Sequence, residues 1–172
     1  MNQNYVLSFS AIDKPGIVEL LSNTISKSGG NWLESAMSHL AGRFVGIVVI
    51  DVSAEQASAL KEALNGLTAQ GLFISIETIN SEDSGSEVLR SIEIELTGHD
   101  RPGIVSEIST VLAKHGANVE DLTTELVSGS MSAELLFKAD IHASIGQETD
   151  IDDLQEAIES IADDLMVDII IE

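Results

Sequence analysis

The chain has 172 residues, 44% of them hydrophobic but only 3% aromatic, so it can bury a core and must build it from Ile, Leu, Val and Ala. Its 29 acidic and 8 basic residues leave a formal net charge of −21, a field that repels nucleic-acid phosphates and anionic membranes and disfavours direct DNA binding. Cysteine is absent, which removes disulfide and thiolate chemistry; no signal-peptide pattern and no apolar run of about 18 residues is present, so a cytoplasmic chain without a membrane span is expected.

Residues 5–11, YVLSFSA, alternate apolar and polar and predict a strand. The run DKPGIV follows from Asp13, after which Ile17, Leu20, Leu21 and Ile25 share one helical face. Gly29 stands where a left-handed C-terminal cap belongs. Two strands are predicted next, from Asn31 and after an Ala41-Gly42 turn. Ser53 and Gln56 have capping-box spacing ahead of a second helix, in which Leu60, Leu64 and Leu67 share a face. A strand over 72–79 ends the first unit. The polar, acidic segment 80–87, NSEDSGSE, reads as a linker.

The plan then repeats. DRPGIV begins at Asp100, 87 residues after its counterpart, and Gly116 and Asn118 follow Gly29 and Asn31 by the same 87. A strand over 91–98 precedes a helix with Ile104, Ile108, Val111 and Leu112 on one face. Strands are predicted from Asn118 and Ser132 around SGSM, then a helix with Leu154, Ile158 and Ile161, then a strand over 165–171. The last strands are offset by 93, so six extra residues are placed in the loop 142–150, HASIGQETD. Two runs of strand, helix, strand, strand, helix, strand predict an α+β protein of two ferredoxin-like βαββαβ domains. Each is an antiparallel four-stranded sheet with two helices on one face. Domain 1 is expected over 1–80, the linker over 81–89 and domain 2 over 90–172.

The repeated Asp-Lys/Arg-Pro-Gly carries the chemistry. Proline suits the start of a helix because its missing N–H would be unpaired there. Glycine lets another molecule approach the backbone. The first helical turn offers unpaired N–H groups and the positive dipole end, which suit a small carboxylate. The Asp either takes an amino group or holds the turn. Asn31 and Asn118 open the next strand, placed beside this turn, where an amide supplies both donor and acceptor; the alternative is an Asn that merely ends a turn.

Other chemistry finds no constellation. His39, His99, His115 and His142 lack metal-ligand spacing. No Gly-x-Ser-x-Gly elbow and no Walker loop is present. The acidic runs DIDDLQE and ESIADD read as solvated helix faces, and TDIDD suits a helix N-terminus. No catalytic residue, metal or cofactor is expected.

Two D-[KR]-P-G-I-V loops, each followed by a helix, G-[GA]-N and a hairpin, resemble tandem ACT domains, with TGHDRPGIV and GANVEDL adding to the likeness. The resemblance covers nearly the whole chain. It implies a regulatory module that binds small amino acids where ACT domains meet, with contacts from Asp13, Pro15, Gly16, Ile17 and Asn31 and from Asp100, Pro102, Gly103, Ile104 and Asn118. Among two-ACT chains without an enzyme, it is similar to those that repress the glycine cleavage system. That implies glycine as first ligand, action through a DNA-binding protein partner, and a homodimer. The alternative is a detached regulatory subunit that controls a metabolic enzyme. Trp32 stands where the second copy has Val119, and it is expected to crowd the first pocket, leaving the second site the stronger.

Overall fold

The computed structural model describes residues 2–79, 89–128, 135–163 and 165–171. The chain forms two compact units, Met1–Ser84 and Gly85–Glu172. The first contains β1 (Asn2–Ile12), α1 (Ile17–Lys27), β2 (Asn31–Leu40), β3 (Arg43–Ser53), α2 (Ala57–Gly66), a 3-10 turn (Leu67–Gln70) and β4 (Leu72–Thr78). The second contains β5 (Leu89–His99), α3 (Ile104–Lys114), β6 (Asn118–Ser128), β7 (Leu135–Gly146), α4 (Ile151–Glu159) and β8 (Met166–Ile171). The sheets run β2-β3-β1-β4 and β6-β7-β5-β8, with every pairing antiparallel. Each carries two helices on one face, the α+β ferredoxin-like arrangement that the sequence predicts. The linker segment up to residue 88 lies outside the described residues, and Leu89 already belongs to β5.

Alternation in the central strand sets the buried face. Tyr5, Leu7, Phe9 and Ala11 of β1 are buried, as are Ile92, Ile94 and Leu96 of β5. The helices answer with Ile17, Leu21 and Ile25 from α1 and Ile104, Ile108 and Leu112 from α3. Each fully buried Leu or Ile contributes about 1.5–3 kcal/mol relative to exposure. Leu20 and Val111, also predicted for these faces, pack at the margin. Both helices end as Gly29 and Gly116 predict, in the left-handed region with φ of 77° and 70°. The following N–H groups, of Gly30 and Ala117, reach back to the carbonyls of Ile25 and Leu112.

Several local expectations are corrected. Pro15 does not lie inside the first helical turn: Gly16 is the N-cap and α1 begins at Ile17, with Gly103 and Ile104 doing the same in α3. Ser53 is not an N-cap, because it is the last residue of β3; its hydroxyl donates to Gln56 Oε1 at 3.0 Å and α2 begins only at Ala57. Asp150 does cap α4, accepting from the N–H groups of Asp152 and Asp153. The six extra residues are not in the segment 142–150. Its first five residues continue β7, with His142 opposite Glu93 and Ile145 opposite Arg90, so pairing leaves no room to loop residues out there. Leu40 pairs with Arg43 across two residues, whereas their counterparts Val127 and Leu136 pair across eight. The insertion therefore belongs to the β6–β7 connection, whose residues 129–134 lie outside those described, as does the start of the strand predicted from Ser132.

Two positions in the first hairpin carry opposite strain. Ala41 sits at φ 49° beside Gly42 at 74°, the pair of positive φ values that a two-residue hairpin demands and that alanine resists. Gly46 faces the core, where an added Cβ would lie 2.8 Å from Phe9 and Met37 and 2.9 Å from the Ala36 carbonyl oxygen. In urea denaturation, Ala41→Gly is expected to raise stability by about 1 kcal/mol, whereas Gly46→Ala should lower it by roughly 1–3 kcal/mol, since the backbone oxygen cannot step aside.

Candidate functional site

Each Asp-Lys/Arg-Pro-Gly loop leaves the end of the central strand and enters a helix through a left-handed glycine. Gly16 has φ 92° and Gly103 φ 91°, values that L side chains rarely adopt. Nothing lies within 4 Å of a Cβ built on Gly16, and on Gly103 only Glu107 Oε1 at 3.7 Å does. The glycines thus set the turn and leave open space above it. Neither helix has a side-chain cap at this end. Leu20 and Glu107 donate to the carbonyls of Gly16 and Gly103, at 2.9 and 3.0 Å, and so begin the helical ladder. The N–H groups one and two residues earlier are left pointing outward, which makes an anion-accepting surface. The loops are tied to the neighbouring hairpins by main-chain bonds from Asp13 N to Gly42 O at 3.0 Å and from Asp100 N to Leu135 O at 3.2 Å.

Both loops border an open concavity, of about 290 Å³ in the first unit and about 340 Å³ in the second. Asp13, Gly16 and Ile17 line the first with Phe44; Asp100, Gly103 and Ile104 line the second with Thr124 and Phe137. Six of the ten predicted residues are therefore gathered three to a site. Pro15 and Pro102 fix the loop backbone beside them without lining either hollow.

Asn31 and Asn118 are not beside these loops within their own units. Asn31 pairs with Asp51, which in turn faces Asn4, while the loop departs beyond Ile12 at the other end of the same strand. Eight residues of strand put them roughly 26 Å apart. Asn118, opposite Ser144, is displaced in the same way. Trp32 shares that far end: it pairs with Ile50 and packs against the first core, so it does not crowd the pocket formed by Asp13 and Gly16. The reason is topological. Helix α1 carries the chain back along the sheet before β2 begins, so loop and β2 start must lie at opposite ends.

What distinguishes the two sites is charge pairing. Arg101 forms a two-point ion pair with Glu107, at 2.8 and 2.6 Å, and also donates to the Ile161 carbonyl at 3.3 Å. Glu107 corresponds to Leu20 in the first copy, so Lys14 has no such partner; its ammonium donates to the Gln70 carbonyl at 3.4 Å. Instead, His39 Nε2 lies 3.4 Å from Asp13 Oδ2, and Leu126 replaces that histidine in the second site. Sequence spacing alone does not join His39 to the motif, which lies 26 residues earlier; the β2–β3 hairpin folds it back. Among the described residues no three His, Asp or Glu side chains are grouped as metal ligands, and no helix is long and apolar enough to cross a membrane.

Two βαββαβ units with this loop at the same register define a tandem ferredoxin-like chain. The family model of the ACT domain matches residues 5–77 and again 91–172, and the chain belongs to that family. ACT domains imply a small-molecule-sensing, regulatory role, and their ligands are generally small amino acids. A UPF0237 protein of Methanopyrus kandleri is 32% identical over 80 residues, which cover 46% of this chain and 82% of that one. The solved structure of an unknown protein from Galdieria sulphuraria has a TM-score of 0.82 at 27% identity, covering 100% of this chain and 99% of its own. A candidate glycine cleavage system transcriptional repressor has a TM-score of 0.70 at 17% identity over 100% and 99% of the two chains, a likeness that shows the fold.

The Arg101–Glu107 pair makes a measurable prediction. Its guanidinium hydrogen bonds hold the Glu107 carboxyl below the ordinary glutamate value of 4.5. A depressed folded-state pKa stabilises the fold above the unfolded value, and the contribution is lost as pH falls through the depressed one. Carbon-detected NMR titration should therefore show Glu107 titrating below 4.5, and Arg101→Met should return it toward that value.

Proposed function

We propose that the chain is a cytoplasmic amino-acid sensor, with glycine as its first ligand, that regulates transcription of glycine cleavage by holding a DNA-binding protein rather than by touching DNA. The observation that carries this reading is the duplicated left-handed Gly helix entry, open above and flanked by an aspartate. An ammonium sits on Asp13 or Asp100, and the carboxylate sits on the N–H groups of the first helical turn. Asn31 and Asn118 reach such a ligand only from another ACT domain, because each stands at the far end of its own unit. That requirement fits binding where ACT domains meet.

Charge supports the indirect route. At −21 the chain lacks the basic surface that counterion release needs, and a basic partner suits it instead. The sheet face of the second unit turned away from the helices places Glu95 between Asp140 and Asp168, one carboxylate on each of three adjacent strands. A detached subunit controlling a metabolic enzyme remains the second reading, favoured if co-purification returns an enzyme instead of a DNA-binding protein.

Glycine has few heavy atoms. At about 1.5 kcal/mol for each of its five, binding is capped near 7–8 kcal/mol, or a Kd of a few micromolar. Calorimetry with glycine is expected to give a Kd between about ten micromolar and one millimolar. Asp13→Ala and Asp100→Ala should each remove one site. Because Lys14 has no carboxylate partner among the described residues and Arg101 does, Lys14→Met should weaken binding more than Arg101→Met. No heat with any small amino acid up to about ten millimolar would sink the sensor reading.

A further inference from the structure

The two units share a fold but differ on the sheet face turned away from the helices. Pairing registers lay that face out in rows across the strands. In the first unit one row reads Ala36, Ile47, Ser8, Ser75 and the next Ser38, Val45, Ser10, Phe73. Neither row holds a charge. The matching rows of the second unit read Thr123, Asp140, Glu95, Asp168 and Glu125, Lys138, Thr97, Met166. Duplication supplied both faces with one geometry, so the contrast lies in the side chains alone.

These uncharged rows are exposed. Ile47 is 51% accessible and Phe73 55%, and one row further out Ile12 is 68% and Leu40 73% accessible. A soluble surface seldom leaves a contiguous patch of this kind uncovered. The face also has relief. Ser8, Ser10 and Ser75 floor a hollow of about 430 Å³ beside Phe73, while Ile47 and Val45 stand up from the neighbouring strand. Hollow and knobs are on one surface, which is the condition for a self-complementary, isologous contact.

We propose that this face of the first unit pairs with the same face of a second copy of the chain. Electrostatics selects that occupant. Most of the surface of a chain at −21 repels another copy, and these rows present no carboxylate. The ends of the face have opposite charge: Arg43 lies between Leu40 and Ile12 at one end, and Glu34 and Glu77 flank Val49 and Val6 at the other. A two-fold axis lying in the contact plane, across the strands, brings Arg43 of one copy toward Glu34 of the other. It also lays β3 on β3 and β4 on β4, so that Val45 of one copy meets Ile47 of the other and Phe73 settles over Ser75 in the serine floor. Four strands by four rows measure roughly 19 by 26 Å, about 500 Å² in plane per copy, which places the contact at the low end of specific interfaces. Association is therefore concentration-dependent.

Sedimentation of the full chain between about 1 and 200 micromolar, a range suited to a small interface, tests this. The expected result is a monomer passing to a dimer, with Ile47→Glu and Phe73→Glu both held as monomers while circular dichroism stays unchanged. Since the chain has no cysteine, Ser8→Cys gives a single thiol that needs no mutation of the apolar side chains. A short bis-maleimide should join two copies of Ser8→Cys and leave Glu95→Cys, its counterpart on the charged face, unjoined. A wild-type monomer at the highest concentration overturns the proposal. So does a dimer that survives Ile47→Glu and Phe73→Glu, or equal cross-linking of the two cysteine variants, since the contact then lies elsewhere.

Discussion

Burial of one face of the central strand against two helices is the constraint on which the rest of each unit depends. Side chains alternate across a strand, so fixing Leu7 and Phe9 inward in β1 turns Ser8 and Ser10 outward. The antiparallel neighbours take their register from that choice. The helix that follows must run back over the apolar face, which fixes where the strand-to-helix loop and the start of the next strand can lie. Both units obey this, down to a bulge early in the edge strand, between Trp32 and Glu34 and again between Val119 and Asp121.

The loop is closely repeated in the two copies, and each copy turns through a left-handed glycine at the same place. A strand that ends at full extension and turns within four residues into a helix needs one residue in the left-handed region. Glycine reaches it at little cost. The same geometry leaves first-turn N–H groups uncovered, so structural need and anion-binding capacity coincide at Gly16 and Gly103. Divergence falls around that frame instead. Glu107 ties down Arg101, whereas Leu20 leaves Lys14 with a carbonyl, and His39 approaches Asp13 where Leu126 stands in the other copy.

The outward sheet face is free of the folding constraint, and there the copies have separated furthest. Carboxylates on adjacent strands, as at Asp140, Glu95 and Asp168, oppose one another and add nothing to sheet stability. Their presence in the middle rows of one unit and absence from the matching rows of the other places different surface demands on two copies of one scaffold. A charged face stays hydrated or meets a basic partner; an apolar one is more stable covered.

Much of this chain was legible in the sequence, since its determinants are local or periodic. Alternation announced the strands, 3.6-residue spacing announced Ile17, Leu21 and Ile25 as one buried face, and the constant offset of 87 announced two units and two matching loops. Three things were decided only by tertiary structure. Strand pairing, which spacing does not encode, moved the six-residue insertion from 142–150 to the β6–β7 connection. The return path of α1 put Asn31, Asn118 and Trp32 at the far end of the sheet from the loops, because a helix reverses the chain before the next strand begins. The hairpin brought His39 to Asp13 across a sequence distance that no motif spans, since proximity there comes from antiparallel pairing and not from order along the chain.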